Sequence, residues 1–126
     1  MAVDGRVVSR IGPGVLVLLG VAEGDTATEA EKISRKLLRL RIFPDSEGRM
    51  SEPLGDREIL CVSQFTLLGD TSKGNRPSFV SAAGPDLAEP LYLDVCERTG
   101  AARGVFGADM EIEMTGDGPV TVLLEA

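Results

Sequence analysis

The stretch Gly116-Asp117-Gly118-Pro119-Val120-Thr121 joins two segments with the apolar spacing of β-strands, residues 109–115 and 119–125. Glycine, aspartate and proline favour tight turns, so this pattern predicts a hairpin of antiparallel strands. Proline has no backbone N–H, and an X-Pro bond adopts the cis form at low cost. Such a loop can present its carbonyl groups to a ligand or to another subunit, although a surface turn is the simpler interpretation.

A second stretch, Ser63-Gln64-Phe65-Thr66-Leu67, ends the apolar run of residues 59–62. A serine or threonine hydroxyl is a weak nucleophile unless a base lies beside it. The chain contains no histidine, so only Lys73 or a carboxylate is left to act as the base, and no spacing in the sequence requires either. From the residues alone, Ser63 and Thr66 are more simply interpreted as strand-end residues that bond to the local backbone.

The rest of the chain alternates between short apolar segments and polar turns. The predicted strands are a hairpin arm over 3–11 that turns at Asp4-Gly5, a fully buried strand over 15–21, an extended piece at 41–43 and a strand over 59–65. The predicted connections are a turn at 44–48 and polar loops at 51–57 and 69–78. Sequential strands usually pair as neighbours, which predicts mainly antiparallel pairing.

The first predicted helix covers residues 27–40. Thr26 and Glu29 have the spacing of a capping box, and basic residues lie opposite an apolar stripe. That stripe is predicted to face the core and consists of Ala30, Ile33, Leu37 and Leu40.

The second predicted helix starts at a capping box, Asp86-Leu87-Ala88-Glu89, and ends near Thr99, with Gly100 after it. Its predicted inward residues are Leu87, Leu91 and Val95. Pro90 removes one helical hydrogen bond, so the start of this helix is expected to fray or to shift to Pro90.

These elements predict one domain over residues 1–126 with an α+β fold, in which two helices cover a curved, largely antiparallel sheet. Hydrophobic residues make up 43% of the chain and aromatics 4%, so the core is expected to consist mainly of Val, Leu and Ile. No apolar run has the length of a membrane span, which predicts a cytosolic protein without membrane contact. Cys61 and Cys96 lack metal-ligand spacing and are predicted to be reduced, buried thiols.

The net charge of −7 argues against neutralising a long stretch of nucleic acid. Basic residues are nevertheless grouped at Arg35, Lys36, Arg39 and Arg41, and again at Lys73 and Arg76. These groups could hold one nucleic-acid end, and a solvated helix face explains the first group equally well.

Ser63-Gln64-Phe65-Thr66-Leu67 and Gly118-Pro119-Val120-Thr121 resemble the two signature motifs of the D-aminoacyl-tRNA deacylases, which proofread chirality in translation. Four further segments occur in the order of that family, namely residues 15–21, 40–43, 76–79 and 106–110. The resemblance covers nearly the whole chain. It implies a barrel-like fold, a homodimer with active sites at the subunit interface, and the 3′ end of aminoacyl-tRNA as partner.

The resemblance also implies roles for residues. Ser63, Gln64, Phe65 and Thr66 would form the catalytic segment, with backbone N–H groups at the oxyanion and help from the RNA 2′-hydroxyl favoured over a nucleophilic Thr66. Gly118-Pro119, in the cis form, would enter the active site of the other subunit and exclude L side chains while admitting glycine. Phe106 and Met110 would line the pocket for the terminal adenosine. No metal or cofactor is implied.

Two departures from the family pattern open an alternative. Gly116 stands where the family has asparagine, and a glycine gives the loop more freedom. Family members also have a strand with a bracing arginine before the region matching residues 1–5, so the resemblance predicts either an upstream start or a lost edge strand. An inactive relative that binds tRNA ends or a protein partner is the alternative function, and a Ser/Thr hydrolase of small esters is a third.

Overall fold

The computed structural model describes residues 1–126. It contains two helices, seven short strands and one 3₁₀ segment. In chain order these are β1 (Ala2–Val3), β2 (Arg6–Val7), β3 (Gly14–Leu19), α1 (Ala27–Arg39), β4 (Phe43–Pro44), β5 (Met50–Glu52), β6 (Glu58–Ser63), the 3₁₀ segment (Phe65–Leu68), α2 (Pro85–Thr99) and β7 (Ala102–Arg103).

The central sheet has the strand order β3-β6-β7 and is parallel throughout. β3 and β6 pair in register from Gly14 opposite Glu58 to Leu19 opposite Ser63. The prediction of largely antiparallel pairing is therefore wrong for this sheet. It assumed that neighbouring strands in sequence pair, whereas each strand here returns through a long crossover that contains a helix, which is the connection that parallel strands require.

Antiparallel pairing is confined to two small sheets. β1 and β2 form the predicted hairpin, with Asp4 and Gly5 in the left-handed region at φ values of 51° and 78°. β4 and β5 also pair in antiparallel fashion. The combination of strands with two helices is confirmed, but the three sheets do not close into a barrel.

The predicted hairpin over 109–115 and 119–125 does not form, because residues 112–126 contain no strand. Only Glu111 pairs in this region, in an antiparallel bridge with Ala2. The apolar side chains of the segment find no cover, as the exposed fractions of 61% for Met114 and 85% for Leu123 show. A two-stranded ribbon without a buried face has little to stabilise it.

α1 agrees with its prediction. The capping box forms, since the N–H of Thr26 donates to Glu29 Oε2 at 2.7 Å and the N–H of Thr28 donates to Thr26 Oγ1 at 3.2 Å. Ala30 is buried, and Ile33 and Leu37 pack against the core.

α2 starts earlier than predicted. Its first residue is Pro85, and no side chain caps it, because proline at the first helical position already has the required φ and needs no N–H partner. Pro90 lies inside the helix without moving its start. Leu87 was predicted to face inward but is 36% exposed, and Ala88 beside it is buried.

Strand burial also differs from prediction. β3 was expected to be fully buried, yet only Leu19 is, and Leu18 is 42% exposed. The helices cover one face of the sheet, where Val15, Val17 and Leu19 pack. Leu16 and Leu18 alternate onto the opposite face, where their β6 partners Leu60 and Val62 are buried while Leu18 on the edge strand stays exposed.

Tyr92 of α2 joins the core to two strands. Its hydroxyl donates to the carbonyl of Cys61 at 2.7 Å and accepts from the N–H of Gly104 at 3.1 Å. Burial, followed by Cys96, raises the pKa of Tyr92, so the hydroxyl keeps its proton. Cys61 and Cys96 are buried free thiols, as predicted, and contact with Cys96 together with burial raises the pKa of Cys61.

No helix combines the length and apolar composition needed to cross a bilayer.

Replacing Tyr92 with phenylalanine is expected to lower the free energy of unfolding by about 1 kcal/mol, since the ring stays buried and one hydroxyl bridge is lost. The measurement is urea unfolding followed by far-UV circular dichroism, because the chain has no tryptophan and Tyr92 is its only tyrosine.

Ser34→Ala is the matched control. Its buried hydroxyl donates to the Ala30 carbonyl at 2.7 Å, within a helix whose backbone already bonds that carbonyl, so a smaller loss is expected. Equal losses for the two variants would contradict a bridging role for Tyr92.

Candidate active site

A cleft of about 520 Å³ opens at the carboxyl edge of the central sheet. Because β3 and β6 are parallel, the segments that follow them emerge at this edge together. The cleft is lined by Val21, Val62, Ser63, Gln64, Phe65, Ala83, Pro85, Ala88, Phe106, Gly107, Ala108, Asp109, Met110 and Ile112. The structure thus brings residues 63–65 and 106–110 together, although about forty positions separate them.

The segment after β6 is positioned by backbone bonds. The N–H of Gln64 donates to the carbonyl of Leu19 at 2.8 Å, which extends the ladder past both strands. Phe65 and Thr66 then occupy the first positions of the 3₁₀ segment. The first N–H groups of such a turn have no partner in a preceding turn, so they remain free to donate to another group.

Thr66 is exposed and does not line the cleft itself. Its Oγ1 accepts a hydrogen bond from Gln64 Nε2 at 2.5 Å. An amide donor cannot take the hydroxyl proton, and neither Lys73 nor any carboxylate bonds to Thr66. The hydroxyl therefore has no base beside it, and the small-ester hydrolase that required one loses its support.

Gly20 allows the 3₁₀ segment to pack on the end of β3. A Cβ atom at this position would lie 2.5 Å from Leu68 Cδ2 and 3.3 Å from both the Gln64 carbonyl oxygen and Leu67 Cβ. A side chain at this position would require Leu68 to rotate and Gln64 and Leu67 to shift slightly, so glycine favours this close approach. The packing of residues 64–68 thus depends in part on a residue outside the motif.

Phe106 and Met110 form the opposite wall of the cleft. The ring of Phe106 packs on Tyr92 with a centroid distance of 6.0 Å, so the tyrosine that bonds to Cys61 and Gly104 also supports this wall. Asp109 is the one charged residue of the lining. The sequence pattern did not single out Asp109, because only the folded chain places it in a cleft.

Phe65 is exposed and meets Phe79 edge-to-face, with centroids 5.1 Å apart and an interplanar angle of 67°. Phe65, which directly precedes Thr66, is therefore held by contact with Phe79 from the loop before α2. Spacing in the sequence gave no sign of this pair.

Gly118 and Pro119 lie outside the cleft of their own chain and are exposed. Gly118 has a φ of 112°, which favours glycine, and the Gly118-Pro119 bond is cis, as the resemblance implies. A Cβ at Gly116 would meet only Pro119 Cβ at 3.5 Å, an ordinary contact. A side chain at position 116 would therefore fit sterically in this loop.

The cleft thus joins residues 63–65 of the first motif to residues 106–110, without an imidazole, while the Gly118-Pro119 motif lies outside it. Residues 1–125 match the family described as D-Tyr-tRNA(Tyr) deacylase, and the chain belongs to that family.

Two curated relatives illustrate the match. A D-aminoacyl-tRNA deacylase of Dehalococcoides mccartyi is 52% identical over 98% of this chain and 86% of its own length. A D-aminoacyl-tRNA deacylase of Marinobacter nauticus is 48% identical over 100% of this chain and 86% of its own length.

Two solved structures are similar. One, named c-Myc DNA Unwinding Element Binding Protein, superposes with a TM-score of 0.92 at 41% identity and covers 99% of this chain and 90% of its own. The other, described as a probable eukaryotic D-amino acid tRNA deacylase, gives a TM-score of 0.64 at 23% identity, with 78% and 59% covered. This second likeness concerns the fold alone.

Gly20→Ala is expected to displace residues 64–68 and to lower the free energy of unfolding by about 1–3 kcal/mol through overpacking. Amide chemical shifts from NMR would locate the displacement, and urea unfolding would give the loss of stability.

Gly12→Ala serves as the control, since its added Cβ meets only the flexible Glu58 Oε1 at 3.4 Å. If both variants leave the amide shifts of residues 64–68 unchanged, the dependence on Gly20 is wrong.

Proposed function

We propose that this protein hydrolyses the ester of D-aminoacyl-tRNA and of mischarged glycyl-tRNA while rejecting L-aminoacyl-tRNA, and so proofreads chirality in translation. The observation that carries the proposal is the cleft that joins residues 63–65 to residues 106–110. Membership of the D-Tyr-tRNA(Tyr) deacylase family supports the same substrate class.

The proposed reaction does not require a catalytic side chain. Water attacks the ester carbonyl carbon, the oxyanion forms, and its collapse releases the 3′-hydroxyl of the terminal ribose and the amino acid. The N–H groups of Phe65 and Thr66 are placed to stabilise the oxyanion. The neighbouring 2′-hydroxyl of the RNA assists the reaction, because no side chain beside Thr66 can act as its base.

Ser63 and Gln64 position this segment. Ser63 ends β6 opposite Leu19, and Gln64 holds Thr66 Oγ1 through its amide. Their part is to keep the backbone donors at a fixed distance from the scissile ester.

Chiral selection comes from Gly118 and Pro119 of a second subunit. Their exposure outside the cleft of their own chain supports a role in another active site. Carbonyl groups presented there hold the amino group of the substrate and leave no space for an L side chain, a filter that every D-residue and glycine passes. The active unit is therefore a homodimer with its sites at the interface.

Dimer formation also suits the uncovered surfaces of the chain. The second face of β3 and the exposed apolar residues of segment 112–126 gain cover, and the sheets complete a curved, barrel-like layer. Phe106 and Met110 bind the terminal adenosine by stacking and apolar contact. The protein works in the cytoplasm, where its substrates are made.

The inactive-relative alternative finds less support. The catalytic stretch is intact, the oxyanion donors are free, and identities of 48–52% link the chain to proteins named as deacylases. Gly116 remains its only basis within the chain itself.

Purified protein is expected to release amino acid from D-tyrosyl-tRNA and glycyl-tRNA but not from L-tyrosyl-tRNA. Thin-layer chromatography of the labelled products measures each rate, and size-exclusion chromatography with light scattering gives the oligomeric state. A folded dimer inactive on all three esters would sink the proposal, whereas equal release from the D- and L-esters would sink only the chiral filter.

Thr66→Val is expected to keep kcat for D-tyrosyl-tRNA within about tenfold of wild type, because the backbone donors remain. Phe106→Ala is the contrasting variant and should lower kcat/KM about 5–150-fold through lost stacking. A loss above about a thousandfold for Thr66→Val, with the fold intact, would assign its hydroxyl to the chemistry instead.

A further inference from the structure

The outward face of α1 carries a line of cations. Lys32, Arg35, Lys36 and Arg39 follow one another at helical spacing, which places them on one face, and Arg41 comes directly after the helix. These five exposed residues are called the basic stripe. Positions 32–41 contain five of the 13 lysines and arginines of the chain and no acid.

Acidic side chains lie near some of these cations, since Glu29 interacts with Lys32, Asp45 interacts with Arg41, and Glu125 lines the cleft beside the stripe. Arg35 pairs with Glu31 at 2.5 Å, and no other member of the basic stripe forms an ion pair. Cations near the last turn favour the helix dipole, which accounts for Lys36 and Arg39 but not for Lys32. Like charges at this spacing repel one another, so the folded chain gains nothing from gathering all five.

The basic stripe forms the wall of a second cleft, of about 660 Å³, with Leu124–Ala126 on the opposite side. Arg41 is held in place there, since its Nε donates to the carbonyl of Ser51 at 2.6 Å. Its terminal nitrogens keep their donors free. Fixed guanidinium donors beside mobile lysines suit phosphate oxygens.

The position of α1 relates the basic stripe to the active site. Residues 20–26 connect the carboxyl end of β3 to α1, and the helix then packs back over the sheet. Its first turn therefore lies near the edge with the catalytic cleft. Thirteen residues carry the stripe about 20 Å away from that edge.

We propose that the basic stripe binds the phosphate backbone of the acceptor-stem duplex in the same tRNA whose 3′ end lies in the catalytic cleft. This inference rests on the proposed function. A tRNA ends in a short unpaired strand that leads into an A-form duplex, so the duplex phosphates lie away from the ester, as the stripe lies away from the cleft. Contacts to phosphates position the RNA without reading its sequence.

The acidic remainder of the protein favours this surface over others. The chain as a whole carries −7, so a run of cations without an intervening acid along α1 is an attractive surface for a polyanion. The occupant is RNA rather than an acidic protein, because the spacing of the cations along one line follows a regularly charged backbone.

The test uses the full chain with the charge-reversing double variant Lys36→Glu/Arg39→Glu. The control, Arg6→Glu/Arg49→Glu, makes the same change in net charge at exposed residues outside the stripe. A milder variant, Lys36→Gln/Arg39→Gln, replaces the first if the charge reversal impairs folding. Circular dichroism checks that every variant is folded. The substrates are D-tyrosyl-tRNA and the D-tyrosyl ester of adenosine, which lacks the stem.

The stripe variants are expected to raise KM for D-tyrosyl-tRNA about tenfold or more with kcat unchanged, while the adenosine ester reacts as in wild type. The slope of log(kcat/KM) against log salt should become shallower by about two, one for each lost phosphate contact. The control should match wild type on both substrates. Equal KM values for tRNA in the stripe and control variants would overturn the inference.

Binding of uncharged tRNA, measured by fluorescence anisotropy, separates this inference from the proposed function. If wild type hydrolyses neither ester, the proposed function fails, and the binding measurement alone tests whether the basic stripe binds tRNA. Weaker binding by the stripe variants alone then supports it, and equal binding by all variants overturns it.

Discussion

The parallel pairing of β3 with β6 is the constraint on which the rest of the structure depends. It brings Leu19 and Ser63 to the same edge of the sheet, and the bond from Gln64 to Leu19 carries the pairing into the catalytic segment. Because backbone atoms make these bonds, the segment is held without an ion pair or a metal. The proposed stabilisation of an oxyanion by backbone N–H groups requires this kind of rigid backbone.

Tyr92 extends the same constraint to residues 104–110. Its hydroxyl links β6 to Gly104, just past β7, and its ring supports Phe106. One buried side chain thereby couples the strand that leads to Thr66 with the wall that faces it. The distance between the two halves of the cleft is set in the core rather than at the surface.

Predictions from sequence succeeded where the cause is local. The capping box of Thr26 and Glu29 and the apolar stripe of α1 depend on residues only a few positions apart, so their spacing in the sequence was enough to predict them. Pairing between β3 and β6 depends on residues more than forty positions apart, and no spacing carries that information.

The candidate site divides in the same way. The motif residues were recognisable one by one, whereas Gly20, Asp109 and Phe79 gained their roles only through contacts made by folding. The prediction of a final hairpin was wrong for a related reason. Alternating apolar residues specify a strand only when a neighbouring surface covers them. Segment 112–126 stays largely exposed within the single chain, and the proposed dimer would supply a surface that covers it.

The separation of charge on this molecule has a consequence for the speed of encounters. Acidic residues outnumber basic ones 20 to 13, yet the basic stripe along α1 gathers cations on one face, so this face differs in charge from the chain as a whole. The electrostatic field orients a polyanion that approaches by diffusion before it contacts the protein. Collisions with the acidic surfaces are short-lived. Fruitful encounters then become more frequent without tighter final binding, which leaves the products free to depart.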